Sequence, residues 1–200
     1  YEGIWRSRAG LDKLEHKLIS LEIEGAKITA KHEISGNNNG RFITKSVMII
    51  AKDGQISFDY DIKPEGNKKF MNIPSLPKIG TQCELPKSID NMTWYGKGPY
   101  HNYTDRSRSS FIGTFSKTVD EMYINYPYPQ EYGNRTEIRW VSMTDQNGVG
   151  IKVNGSVPLE ASVRNYSDEN IEKAKHTYEL KKANVNFFNI DYAQCGVGND

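Results

Sequence analysis

Two short stretches gather the side chains that could hold a sugar. Residues 94–106 carry Trp94, Tyr95, Tyr100, His101, Asn102, Tyr103, Asp105 and Arg106 around Gly96, Gly98 and Pro99. Residues 128–140 carry Tyr128, Glu131, Tyr132, Asn134, Arg135, Glu137 and Trp140 around Pro129 and Gly133. Carboxylates, amides and guanidinium groups exchange hydrogen bonds with neighbouring hydroxyls, and flat rings accept the C–H face of a pyranose.

Hydrolysis of a glycoside asks for more. Two carboxyl groups must flank the scissile bond, roughly 5–5.5 Å apart for retention and roughly 6.5–9.5 Å apart for inversion. Asp105, Glu131 and Glu137 are the candidates. Asp105 directly precedes Arg106, and Glu131 stands one short step before Arg135, so each also reads as a structural ion pair steadying a turn. His101, whose ordinary pKa lies near neutrality, can serve as acid, base or donor to a hydroxyl; a lone loop histidine can equally be merely solvated. His16, His32 and His176 sit in alternating or amphipathic runs and read as surface residues. The aromatic rings can also fill a core or seal an interface, and Trp140, alternating with Ile138, is expected in the core.

Other chemistries are excluded. The chain has no nucleophile elbow, phosphate-binding glycine loop or dinucleotide fingerprint. Cys83 and Cys195 lie far apart, without cysteine or histidine at metal-ligand spacing, and are expected to be buried thiols. Across 200 residues, 26 Lys and Arg face 25 Asp and Glu, for a net charge of +1 with no basic run. That balance argues against a nucleic-acid partner. No apolar run could cross a bilayer, so a soluble chain without a membrane partner is expected. Asn-x-Ser/Thr triplets begin at Asn91, Asn102, Asn134, Asn154 and Asn165, but in an asparagine-rich chain they arise readily by chance.

The elements that must position these residues read as strands. Apolar and polar positions alternate over 17–24, 26–34, 42–51, 55–62, 79–85, 136–143, 150–153, 159–163 and 185–191. Turns at 52–55 and 145–148 join strand-like runs as hairpins, predicting antiparallel pairing. The spacing predicts one short surface helix over 167–175, capped by Ser167 and begun by Asp168 and Glu169. Residues 37–40 and 66–77 read as loops. So many short strands imply an all-β sandwich or barrel, and the strand-like start and the Gly-Val-Gly-Asn-Asp end suggest a piece of something larger.

Residues 94–106, residues 128–140 and the closing Gln194-Cys-Gly-Val-Gly-Asn-Asp200 together resemble the C-terminal domain of large family 2 β-galactosidases. Leu76-Pro-Lys-Ile-Gly80, Thr118-Val-Asp-Glu-Met-Tyr123 and the 185–191 strand support the resemblance, which runs from about residue 76 onward. It implies one domain over 1–200, a large antiparallel β-sandwich of the supersandwich, galactose-mutarotase-like type. It also implies a homo-oligomeric parent that cleaves terminal β-galactosides with retention, using two glutamates on a separate barrel domain with magnesium and sodium. No catalytic residue or metal ligand is then expected here. The chain becomes an accessory domain that closes the active-site cleft and contacts the leaving-group side of the substrate.

The carbohydrate contacts expected on this resemblance are His101, Asn102, Asp105, Arg106, Glu131, Asn134, Arg135 and Asp200. A mobile cleft-side loop is expected over 36–42, with Gly36, Gly40 and Arg41, and Gly40 as hinge. The family's terminal motif continues into Ser-Trp, and this sequence stops just before it. His101 stands where relatives carry glutamate, Thr104 where proline is common, Tyr132 where asparagine is common and Cys195 where methionine is common. The bacterial cytoplasm or periplasm is the compartment expected. Two alternatives stay open: a free-standing sugar-binding or mutarotase-like protein in which His101, Asp105, Glu131 and Arg135 line a pocket, with His101 and Glu131 converging in it, and a structural module whose aromatics pack against sister domains.

Overall fold

The computed structural model describes residues 2–196 and divides the chain into two compact units, Tyr1–Ser75 and Leu76–Asp200. The first unit opens with a short helix, α1 (Glu2–Ile4), which runs into a π-helical turn at Trp5–Ala9 and a 3-10 turn at Leu11–Lys13. Four antiparallel strands follow in sequence order: β1 (Glu15–Glu24), β2 (Lys27–Asn37), β3 (Gly40–Ile50) and β4 (Ile56–Gly66). The registers Ile23↔Ile28↔Met48↔Phe58 and Leu21↔Ala30↔Ser46↔Tyr60 set an apolar row on one face. Glu22↔Thr29↔Val47↔Asp59 and the neighbouring Lys31↔Lys45↔Asp61 put charge on the other.

The expected loop at 66–77 contains a helical turn, α2 (Lys68–Met71). Asn67 caps it, accepting from the backbone N–H groups of Lys69 and Phe70 at 2.9 and 3.2 Å. Residues 36–42 belong to a tight β2–β3 hairpin, with Asn37 paired to Gly40 and the Asn39 N–H donating to Asn37 Oδ1 at 2.9 Å. Gly40 owes its identity to packing, because a Cβ there would stand 2.4 Å from the Phe70 ring.

The second unit holds six strands: β5 (Lys78–Pro86), β6 (Asn91–Gly98), β7 (Phe111–Thr118), β8 (Arg135–Thr144), β9 (Gly150–Arg164) and β10 (Val185–Gln194). They form one antiparallel sheet in the order β5-β10-β9-β8-β6-β7. The predicted helix is present as α3 (Asp168–Lys173), with Ser167 Oγ accepting from the Asn170 N–H at 3.1 Å. Further 3-10 turns stand at Asp120–Met122 and Thr177–Glu179. The fold is all-β, its two sheets open and antiparallel, consistent with the sandwich class. No helix among the described residues is long and apolar enough to cross a membrane.

Three strand expectations are corrected. β6 and β7 were not anticipated, and 150–153 and 159–163 belong to one 15-residue strand. Trp140 does not join the core. Register shifts on β8 at 135–138 and 138–140, with Glu137 held at φ 57°, move the buried positions from Thr136 and Ile138 to Val141 and Met143. Trp140 therefore falls on the opposite face, half-buried, with Lys152 Nζ 4.5 Å from its ring centre. The core below the sheet is built by Met92, Trp94, Ile138, Val141, Met143, Val163 and Phe188.

Candidate functional site

Around β9 and β10 the six-stranded sheet is buried on both faces, and the two faces differ in chemistry. Registers Ile190↔Ala161 and Cys83↔Phe188↔Val163 point into the apolar core. The alternate registers, Gly80↔Asp191↔Glu160 and Gln82↔Asn189↔Ser162, lie on the other face together with Lys78 and Arg164. Loop residues of the two polar-aromatic stretches reach this polar face through the Thr104–Glu160, Asn134–Glu160 and Glu131–Arg164 contacts. A Cβ on Gly80 would come within 1.9 Å of Asp191 Oδ1, so glycine is needed there to seat the carboxylate.

An amide network ties the two loops to the sheet. Asn102, fully buried, accepts at Oδ1 from the Thr136 N–H (3.0 Å) and hydroxyl (2.6 Å), and donates from Nδ2 to Tyr100 O (3.0 Å). Its backbone N–H donates to Asn134 O at 2.8 Å. Asn134 Nδ2 donates to Glu160 Oε2 at 2.6 Å and to Asn102 O at 3.2 Å. Thr104 Oγ1 reaches Glu160 Oε1 at 3.5 Å. Burial nevertheless pushes the Glu160 carboxyl up, with the Asn134 bond opposing that shift.

Beside it runs a line of alternating charge. Arg164, 1% exposed at its side chain, donates to Glu131 Oε1 at 3.3 Å and to Asp168 Oδ1 at 2.6 Å. Lys78 Nζ lies 3.7 Å from Glu131 Oε1, 3.4 Å from Asp191 Oδ2 and 3.1 Å from Asn189 Oδ1. The Lys78–Asp191 contact is an ion pair without hydrogen-bond alignment, and both Asp191 oxygens lack a hydrogen-bond partner. Burial therefore outweighs the lysine and pushes Asp191 up to about 7.

The sequence-predicted residues divide by environment. Asn102, Asn134 and Arg135 are buried, whereas Asp105 and Arg106 are exposed; Asp200 lies outside the described residues. The expected ion pairs are replaced by other contacts. Glu131 pairs with Arg164 and Lys78, Arg106 packs its guanidinium 5.3 Å from the Tyr103 ring centre, and no ion pair holds Asp105 among the described residues. Arg135 donates to the Gly133 and Asn134 carbonyls at 2.8 and 3.2 Å and lies 5.0 Å from the Trp94 ring centre. Burial brings it down to about 10. His101 packs against Tyr103 and Tyr126, and burial, reinforced by Arg106 and Arg135, lowers it to about 4.

Of the predicted sugar-facing rings, Trp94, Tyr103 and Tyr132 are buried, while Tyr100 and Tyr128 remain exposed. Gly36 packs against Gly10, and Arg41 pairs with Glu33 and Glu65 at 2.8 and 3.0 Å. Sequence reasoning missed Lys78, Glu160, Arg164, Asn189, Asp191 and Gln194. Their signal was a polar residue at every second position of otherwise apolar strands, as in Asn189-Ile190-Asp191.

An open cleft of about 490 Å³ adjoins this face, lined by Leu76, Ile79, Thr104, Asp105, Ala193, Gln194 and Cys195. Among the described residues, Asp105 is the one carboxylate in the lining. Among the described residues no group of three His, Cys, Asp or Glu is placed to hold a metal ion.

Fold and site define an all-β module in which one sheet face is given to buried charge and roofed by polar-aromatic loops. The comparisons narrow that class. The chain belongs to the β-galactosidase small-chain family, whose model, described as beta galactosidase small chain, matches residues 2–200. It is 31% identical over 196 residues to a β-galactosidase of Priestia megaterium, covering 98% of this chain and 18% of that protein. A β-galactosidase of Halalkalibacterium halodurans is 29% identical over 100% of this chain and 19% of its own length. β-Galactosidase BgaC of Bifidobacterium adolescentis is 35% identical over 74% of this chain and 14% of its own. The chain thus spans less than a fifth of the relatives it matches.

Proposed function

We propose that this chain is an accessory module of a β-galactosidase that hydrolyses terminal β-D-galactosides with retention. In this reading it binds carbohydrate and helps close the active-site cleft on the leaving-group side, and the catalytic glutamates, with magnesium and sodium, belong to other parts of a homo-oligomeric parent. The observation that carries it is the state of the carboxylates. Retention needs two carboxyl groups that both reach the substrate. Glu160 and Asp191 are 7% and 0% exposed, Glu131 is occupied by Arg164 and Lys78, Glu137 pairs with Arg139 outside the cleft, and among the described residues Asp105 is the one carboxylate in the cleft lining. Family membership, with so small a share of each relative matched, fits a supporting part better than a complete catalyst.

A chromogenic β-galactoside tests this directly. The 200-residue chain is expected to give no turnover above the uncatalysed rate, and the full-length protein that contains it is expected to give turnover. Hydrolysis by the purified short chain at enzyme-like rates would overturn the assignment. The mutarotase-like alternative requires His101 and Glu131 to face one ligand across a shared pocket. Neither lines the cleft.

A further inference from the structure

We propose that Lys78 is a proton-controlled clasp: with a proton on Asp191 it holds the 123–134 loop to the sheet through Glu131, and when that proton leaves it is drawn back onto β10 and the loop loosens. The geometry gives Lys78 a choice of partners. It enters the polar face from the start of β5, anchored to Asn189 Oδ1 at 3.1 Å, with Asp191 Oδ2 at 3.4 Å on the sheet and Glu131 Oε1 at 3.7 Å on the loop. Gln82 donates to the same Asn189 oxygen at 3.0 Å, which steadies the pivot. A single positive charge is thus shared between a strand and a loop.

Charge balance places the proton. The contacts of Asp191 and Glu131 bring in two cations, Lys78 and Arg164, while a third carboxylate, Glu160, faces Asp191 across the β9–β10 register. Arg164 is further shared with Asp168, whose side chain is mostly exposed. Three carboxylates set against two cations favour one bound proton, because an uncompensated buried charge is costly. Glu131 has Arg164 and Lys78, and Glu160 accepts from the Asn134 amide at 2.6 Å, whereas neither oxygen of the fully buried Asp191 has a hydrogen-bond partner. Asp191 is therefore the holder. Burial pushes its carboxyl up to about 7, with Lys78 opposing and Glu131 and Glu160 reinforcing the shift, so the proton exchanges near neutrality. Tyr103 and Cys195, which also feel Glu131, are pushed up by burial and stay protonated there. Loss of the Asp191 proton acts twice in one direction: it draws Lys78 toward β10, and it sets a new negative charge against Glu131 and Glu160.

Amide exchange on the 200-residue chain, followed by NMR and mass spectrometry, tests the clasp. The Asn102 N–H donates to Asn134 O at 2.8 Å and so reports attachment of the loop's end. After correction for the intrinsic pH dependence of exchange, protection of Asn102 and of residues 123–134 is expected to fall several-fold between about pH 6 and about pH 8, either side of the Asp191 titration, with β3 unchanged. Asp191→Asn, uncharged at every pH, is expected to keep the high protection throughout, and Glu131→Gln, which removes the charge Lys78 holds on the loop, to lose the pH dependence. Protection that stays level in the unaltered chain, a parallel fall in β3, or a full-sized fall in Asp191→Asn would each overturn the clasp. Should Asp191→Asn not fold, the side-chain carboxyl carbons of Asp191 and Glu131 and the Lys78 ammonium nitrogen are titrated by NMR in the unaltered chain. One shared midpoint is expected, and a Lys78 signal that ignores the Asp191 midpoint would overturn the proposal.

Discussion

At the scale of the residue, the buried polar groups carry the specificity of the second unit. Asn102 joins its own loop, at Tyr100, to the distant Thr136 and Asn134, so Asn102→Ala strands the Thr136 N–H and hydroxyl in the interior. A loss of about 3 kcal/mol is expected in urea unfolding, from two or three unsatisfied groups at about 1–3 kcal/mol each. A loss below about 1 kcal/mol would mean that water replaces the amide. Asp191 and His101 then set opposing pH dependences. The folded Asp191 carboxyl titrates near 7, above the unfolded value of about 3.9, so the folded chain binds that proton more tightly. Its stabilising effect is present at acid pH and is lost as pH rises from about 4 to about 7. The folded His101 ring, lowered to about 4, works the other way, losing stability as pH falls from about 6.5 toward 4. Asp191→Asn should make the slope of stability against pH more positive by about 1.4 kcal/mol per unit over that window. Parallel curves for the two proteins would show that Asp191 is already ionised when folded.

At the scale of the element, the hairpins of the first unit were legible because their alternation is uninterrupted and their turns use Gly25 and Gly54 at φ 59° and 87°. β6 was hidden for a physical reason. Its buried positions are Met92, Trp94, Gly96 and Gly98, and the last two are glycines because Ile138 and Phe115 occupy the space a Cβ would need. A period-two hydrophobic pattern cannot register a strand whose inward residues have no side chain. The site was half legible for a related reason. The composition of the two loops was plain, but Glu131–Arg164 and Asn134–Glu160 are long-range pairings that no local spacing encodes. The bulge on β8 was also invisible, and it yields a test. Glu137 sits at φ 57°, where a side chain costs roughly 1–2 kcal/mol relative to glycine. Glu137→Gly is therefore expected to be neutral or to stabilise by up to about 1 kcal/mol, whereas Arg139→Gly, on the same exposed strand face, should cost about 1 kcal/mol. Equal losses in thermal unfolding at the two positions would remove the strained bulge from the account.

At the scale of the whole molecule, the first unit presents a surface that a small soluble domain rarely leaves open. Leu21, Ile23 and Phe58 are 54%, 65% and 57% exposed, and the registers place them on one face of the β1–β4 sheet beside Tyr60 and Ile62. The Phe58 and Tyr60 rings stack with centres 6.2 Å apart. Monomers seldom tolerate contiguous apolar patches beyond a few hundred Å². On the proposed reading as an accessory module, such a face would be covered by the rest of the parent protein. The 200-residue chain by itself is accordingly expected to self-associate at tens of micromolar in sedimentation equilibrium, an estimate in line with hydrophobic burial as the driving term. Sulfate should strengthen that association and urea should weaken it, the opposite of the salt response of ion-paired contacts. Leu21→Lys combined with Phe58→Lys should return the chain to a monomer at little cost to folding, because both side chains are more than half exposed and surface changes usually stay within about 0.5 kcal/mol. If the unaltered chain stays monomeric at every concentration, or the double variant associates as strongly, the β1–β4 face is not the sticky surface.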